Sequence, residues 1–186
     1  MIKPKSPQPC QRLFVALELP GPLRQRLAGL PLDLPGLRRV PAQQLHVTLC
    51  FIGESNQLET IGRALSQIEA MPVTLALQGS GRWSGVLWAG LRRNVALDDL
   101  HRRVTQAVVC CGLEPDRRPF HPHVTLGRFR AQRPPQRLNT WLQTHRSLRS
   151  APVTVDEFCL YASELTPAGA RYTVLQRYPL SAKGEA

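Results

Sequence analysis

The sequence predicts an α+β fold of two similar lobes, each an antiparallel sheet backed by helices, with a central groove between two motif strands. Three observations predict it. The tetrapeptide His-Val-Thr-Leu occurs at His46 to Leu49 and again at His123 to Leu126, each time inside a run of β-formers, Leu45 to Ile52 and His123 to Phe129. Each half of the chain reads strand, helix, strand around its copy. The two histidines lie 77 residues apart, room for one helix, a hairpin and a second helix.

The elements follow in order. After a Pro-rich tail, Arg12 to Leu19 alternates and carries Phe14, Val15 and Leu17, a first strand that ends at Pro20-Gly21-Pro22. Pro22 suits a first helical turn, and Leu23, Leu27 and Leu30 follow at helical spacing up to Pro31. Leu32 to Val40 reads as a proline-punctuated loop that delivers Arg38 and Arg39 to the first motif strand. These two arginines are candidate phosphate-backbone contacts or plain solvated charge. Gly53 to Asn56 is turn chemistry, and Leu58, Ile61, Leu65 and Ile68 make an amphipathic helix ending near Pro72. Val73 to Gln78 and Val86 to Leu91 read as strands. Between them Gly79 to Gly85 is expected to be a loop bearing Arg82 and Trp83, the indole being a candidate to stack on a base or to pack between lobes.

In the second half, Leu97, Leu100, Val104, Ala107, Val108 and Cys111 fit one face of a helix over Asp98 to Cys111, stopped by Gly112. Pro115 to His121 is a loop carrying Arg117, Arg118 and Phe120 to the second motif strand. Pro134 to His145 is a short helix with Leu138 and Leu142. Val153 to Tyr161 and Arg171 to Tyr178 close the fold as strands. The expected organisation is a single bilobal domain over 12–180 between tails at 1–11 and 181–186.

Composition narrows the function. A net charge of +11 and a pI of 10.5 imply an anionic partner, nucleic acid foremost. Of the 24 basic residues 21 are Arg, the lysines being Lys3, Lys5 and Lys183. Arg favours bidentate phosphate contacts, although a genomic bias toward Arg would raise the same count. No lysine follows a Walker A glycine pattern, which disfavours an ATP-consuming ligase. Five cysteines without a Cys-x-x-Cys pair indicate neither a zinc ribbon nor a disulfide framework. Met1 to Cys10 lacks the apolar stretch of a secretory signal, and no apolar run reaches membrane-spanning length. A cytoplasmic monomer is expected.

The repeated motif carries the chemistry. In a strand, side chains alternate faces, so His46 and Thr48 share one face while Val47 and Leu49 point to the core, and His123 and Thr125 separate in the same way from Val124 and Leu126. Two imidazoles and two hydroxyls can then face one cleft. This suits in-line displacement at phosphorus, with one neutral His taking a proton and one protonated His giving one. The threonine hydroxyls can donate to non-bridging phosphate oxygens. A lone His-x-Thr is usually just a polar strand face; two identical copies make that reading the weaker one. Unperturbed imidazoles would place the pH optimum between roughly 6 and 7.5. His121-Pro122-His123 has no acidic or thiol ligand at metal-site spacing, so neither a metal nor another cofactor is expected.

At these residues the chain resembles the two-histidine phosphoesterases, in particular the bacterial RNA 2′,3′-cyclic phosphodiesterases also called 2′-5′ RNA ligases. The likeness runs through RLFVALELP (Arg12 to Pro20), LHVTLCFIGE (Leu45 to Glu54), GRWSGVLWAGL (Gly81 to Leu91), RPFHPHVTLGR (Arg118 to Arg128) and FCLYASEL (Phe158 to Leu165). The resemblance implies metal-free hydrolysis of an RNA-end 2′,3′-cyclic phosphate to a 2′-phosphomonoester, with His46 the proton donor and His123 the acceptor. The residues themselves do not order the two roles. Thr48 and Thr125 would hold the phosphate and Arg128 would neutralise developing charge. Phe51 aligns with the family's aromatic for stacking on the terminal base. Strict alternation, however, puts Phe51 opposite His46, and only a bulge or the end of the strand would bring it round. The expected partners are RNA ends with a 2′,3′-cyclic phosphate, tRNA fragments among them. Two alternatives are ATP-independent 2′-5′ ligation at the same site and a non-catalytic RNA-binding module. Whether Trp83, Arg38, Arg39 and Arg118 touch RNA is open at this level.

Overall fold

The computed structural model describes residues 10–116, 118–129, 137–166 and 169–181. Of the tails expected at 1–11 and 181–186, residues 1–9 and 182–186 lie outside the described residues, as do Arg117 and the helix start at Pro134, while Gln11 already belongs to the first strand. In chain order the elements are β1 (Gln11–Glu18), α1 (Gly21–Ala28), β2 (Leu37–Arg39), a 3-10 turn (Ala42–Gln44), β3 (His46–Ser55), α2 (Leu58–Ser66), β4 (Val73–Leu75), β5 (Leu77–Trp83) and β6 (Val86–Leu91). Then come α3 (Val95–Cys110), β7 (His123–Phe129), α4 (Arg137–His145), β8 (Val153–Val155), β9 (Glu157–Thr166) and β10 (Gly169–Pro179).

The strands make an antiparallel sheet in the order β10-β9-β1-β3-β7-β6-β5, with β2 added along β7, while β4 and β8 form a separate ribbon. One lobe is β10-β9-β1-β3 and the other is β7-β6-β5 with β2. They join where the two motif strands meet, through the registered pair Val47 and Val124, the one pair between these strands among the described residues. Both valines are fully buried, as are Leu97, Leu100, Val104 and Val108 of α3 and Ile61 and Leu65 of α2, which lie in the same core. The apolar half of each alternating strand thus faces the helices, and its other half is left to line the groove.

Several elements differ from the sequence reading. The loop expected over Leu32 to Val40 contains β2, whose pairing with Gly127, Arg128 and Phe129 satisfies an edge of β7. Two consecutive arginines carry no strand signal, so only the partner strand could reveal it. Trp83, expected in a loop, ends β5, because the chain turns in just two residues: Ser84 (φ 41) and Gly85 (φ 76) both adopt the left-handed conformation of a tight hairpin. Val73 to Gln78 is divided between β4 and β5, and Val153 to Tyr161 between β8 and β9. The helix expected from Asp98 starts at Val95 instead, since the Asn94 side chain accepts the Leu97 N–H at 2.9 Å and caps it. The helix expected to end near Pro72 stops at Ser66.

Candidate active site

Register builds the site before any side chain is considered. With Val47 opposite Val124, continuing the antiparallel ladder by one residue each way sets His46 across from Thr125 and Thr48 across from His123. All four side chains point away from the valines, on the groove face, and all four are half-buried. Neither threonine hydroxyl has a hydrogen-bond partner among the described residues, so both are available to a ligand.

The two histidines are held in the same manner. His46 Nδ1–H donates to the backbone carbonyl of Gln44 at 2.7 Å, and His123 Nδ1–H donates to that of His121 at 2.7 Å. Each bond reaches back two residues, and each leaves Nε2 as the free nitrogen. His121 therefore serves through its carbonyl; among the described residues no group of three metal-ligating side chains occurs there or elsewhere.

Both motif strands bulge at the last residue of the motif. On β3, Thr48 pairs with Ala16 and Cys50 with Val15, so Leu49 is the extra residue. On β7, Thr125 pairs with Trp88 and Gly127 with Leu87, so Leu126 is the extra one. Two successive residues then face the core, Leu49 with Cys50 and Leu126 with Gly127, all buried. The phase of alternation reverses beyond them. Phe51 consequently returns to the His46 face, 46% exposed and 6.2 Å from Phe14 between ring centroids. Arg128 returns to the His123 face in the equivalent position. The conflict that strict alternation raised for Phe51 is resolved by this bulge. The carbonyl of Leu49 is bonded from α3, where His101 Nδ1 lies 2.8 Å away, its ring stacked on Phe120 at 4.0 Å.

An aromatic wall backs each histidine. Around His46 lie Phe14 at 5.1 Å, Tyr172 at 5.2 Å edge-on and Tyr161 at 6.3 Å. Trp83 meets His123 edge-on at 4.9 Å, with Trp88 behind it at 6.4 Å. Sequence reasoning missed Phe14, Tyr161, Tyr172 and Trp88. A signal existed in the alternation of β1, which puts Phe14 and Ala16 on the groove face, but β9 and β10 become their neighbours only through long-range pairing.

Electrostatics favour neutral imidazoles in the free protein. Burial pushes His46 down to about 4, with repulsion from His123 and Arg128 adding to it. His123 is lowered too, first by burial and then by the Arg128 and His121 charges. Arg128 thus acts on both histidines. The remaining sequence candidates separate. Arg38 sits directly across from Arg128. Arg39 turns away and donates to the carbonyls of Ala28 and Leu27, closing the C-terminus of α1. Arg118, 80% exposed, is paired with Asp116. Arg82 is exposed at the end of β5.

A family model described as the 2′-5′ RNA ligase superfamily matches residues 20–166. An RNA 2′,3′-cyclic phosphodiesterase of Escherichia coli (strain K12) is 33% identical over 92% of this chain and 97% of its own length. One of Thermus thermophilus is 31% identical over 91% of this chain and 90% of its own. Among solved structures, a phosphoesterase aligns with a TM-score of 0.76 at 31% identity, covering 94% of this chain and 100% of that one. Escherichia coli LigT complexed with 3′-AMP aligns with a TM-score of 0.72 at 30% identity, covering 94% and 100%.

Proposed function

The chain belongs to the 2′-5′ RNA ligase superfamily, and from that membership and its facing His-Val-Thr-Leu strands we propose that it hydrolyses RNA-end 2′,3′-cyclic phosphate to a 2′-phosphomonoester. The observation that carries the reading is the matched pair of Nδ1–H to carbonyl bonds, which frees Nε2 of both His46 and His123 for proton transfer. Water attacks phosphorus in line with the ribose 3′-oxygen. His123 Nε2 accepts the water proton, and His46 Nε2–H protonates the departing 3′-oxygen. The order of these roles follows the family resemblance. Thr48 and Thr125 donate to the non-bridging oxygens, Arg128 balances the charge that grows there, and Phe51 offers a half-exposed ring to the terminal base. No step requires a metal or cofactor.

A 5′-hydroxyl in place of water would form a 2′-5′ linkage by the same displacement, with no ATP because the strained ring stores the energy. We rank hydrolysis first, as the relatives cited above are named phosphodiesterases. The substrates proposed are RNA ends, tRNA fragments among them, met in the cytoplasm by a monomer; the charge of +11 supports an RNA partner.

Phosphorus NMR of a 2′,3′-cyclic nucleotide incubated with the protein in EDTA tests the proposal. A 2′-phosphate signal is expected. A 3′-phosphate would mean that the other bond breaks, and an unchanged substrate would leave a binding module. RNA halves with cyclic-phosphate and 5′-hydroxyl ends, scored for joined against hydrolysed product, separate hydrolysis from ligation.

A further inference from the structure

β2 places Arg38 directly opposite Arg128 on the neighbouring strand β7. Cross-strand partners share a face, and like charges so placed destabilise a sheet. Neither guanidinium has a salt bridge among the described residues, although the protein pairs Arg93, Arg102, Arg103, Arg118, Arg171 and Arg177 with carboxylates elsewhere. The approach of β2 is also built in. A Cβ on Gly127 would lie 2.8 Å from Leu37 Cδ1 and 2.9 Å from the Arg38 carbonyl, so this register requires glycine there.

Arg38 then leans across to the other lobe. Its guanidinium occupies the space that a side chain on Gly169 would take, and Gly169 opens β10 at the β9–β10 hairpin with φ +123. One end of the groove is therefore bounded by two guanidiniums without a carboxylate partner among the described residues, Arg128 nearer the histidines and Arg38 farther out. Arg38 lies one strand over from Arg128, which is two pleated steps, roughly 7 Å, along β7 from Thr125 once the bulge is counted, so the reach of Arg38 beyond the reacting phosphate is on the scale of one nucleotide step.

We propose that Arg38, reaching beyond Arg128 toward Gly169, forms a second phosphate subsite that takes the phosphodiester immediately 5′ to the terminal nucleotide. This rests on the function proposed above. A 3′-terminal cyclic phosphate has chain only on its 5′ side, so the next anion the groove can meet is that diester. A planar guanidinium suits its two non-bridging oxygens, which it can meet with two parallel N–H donors. The subsite makes the protein selective for RNA ends over free cyclic mononucleotides, and Arg38 contributes specificity without touching the reacting phosphate.

The test compares kcat/KM for a 2′,3′-cyclic mononucleotide, for a dinucleotide ending in the same cyclic phosphate, and for that dinucleotide with a neutral methylphosphonate linkage. The wild-type protein should prefer the charged dinucleotide by about tenfold, the worth of a modest charge-assisted contact, and lose that preference with the methylphosphonate. Arg38→Ala and Arg38→Gln should act on all three substrates at the wild-type mononucleotide rate, with no discrimination between the linkages. A preference that survives in both variants overturns the subsite. So does an equal fall for mononucleotide and dinucleotide, which would put Arg38 at the reacting phosphate or in the fold. Absence of hydrolysis of every substrate by the wild-type protein would instead overturn the phosphodiesterase reading.

Discussion

Binding the substrate must recharge a histidine that the fold keeps neutral, and this can be measured. His46 is pushed to about 4 in the free protein, so at pH 7 roughly one molecule in a thousand carries it protonated. The proposed proton donor is therefore almost absent before substrate arrives. A phosphate monoanion about 4 Å away, at an effective dielectric near 20, is worth about 4 kcal/mol, enough to return the group to about 7. Both imidazoles titrate below their ordinary value in the free protein, so the kcat/KM bell should centre acid of pH 6.5. Its acid limb falls as the proposed base His123 gains a proton, and its alkaline limb as His46 loses one. This moves to the acid side the optimum of roughly 6 to 7.5 expected from unperturbed imidazoles. The kcat bell, which reports the bound state, should lie to its alkaline side. An NMR titration of the His46 ring, with and without a 2′-phosphorylated nucleotide, measures the same displacement directly. A free-state titration near 6.5, or one that the nucleotide leaves unmoved, would refute the argument.

Other outcomes follow from the same geometry. His46→Ala and His123→Ala should each lower kcat by about 100-fold or more with little change in RNA affinity, read by steady-state kinetics beside a binding titration; near-normal turnover of a folded variant would rule out two-histidine catalysis. Thr48→Val and Thr125→Val should cost less, because each removes one donor from a phosphate that others still hold. Phe51→Ala should raise KM about tenfold with kcat nearly kept, since base stacking is worth about 1–3 kcal/mol. His101→Leu removes the partner of the Leu49 carbonyl at the bulge, so KM should rise as in Phe51→Ala, and in the double variant the two effects should be less than additive.

Period-two alternation is a local property of a strand, which is why His46, Thr48, His123 and Thr125 could be assigned to one face and Val47, Leu49, Val124 and Leu126 to the other from the chain alone. The repeat also implied two related halves, and the helical faces of α2 and α3 were legible in their leucine, isoleucine and valine spacing. The tertiary structure decided whatever depends on a partner strand. A bulge exists only relative to a neighbour, so Leu49 and Leu126 became the extra residues, and Phe51 and Arg128 came round to the groove, through pairing with β1 and β6. Arg38 entered a strand because β7 had an edge to fill, and Arg39 left the groove because α1 presented carbonyls to it. Phe14, Tyr161 and Tyr172 are distant in sequence and meet around His46 only because β1, β9 and β10 lie side by side, where unlike rings from three strands enclose one imidazole and hold it uncharged.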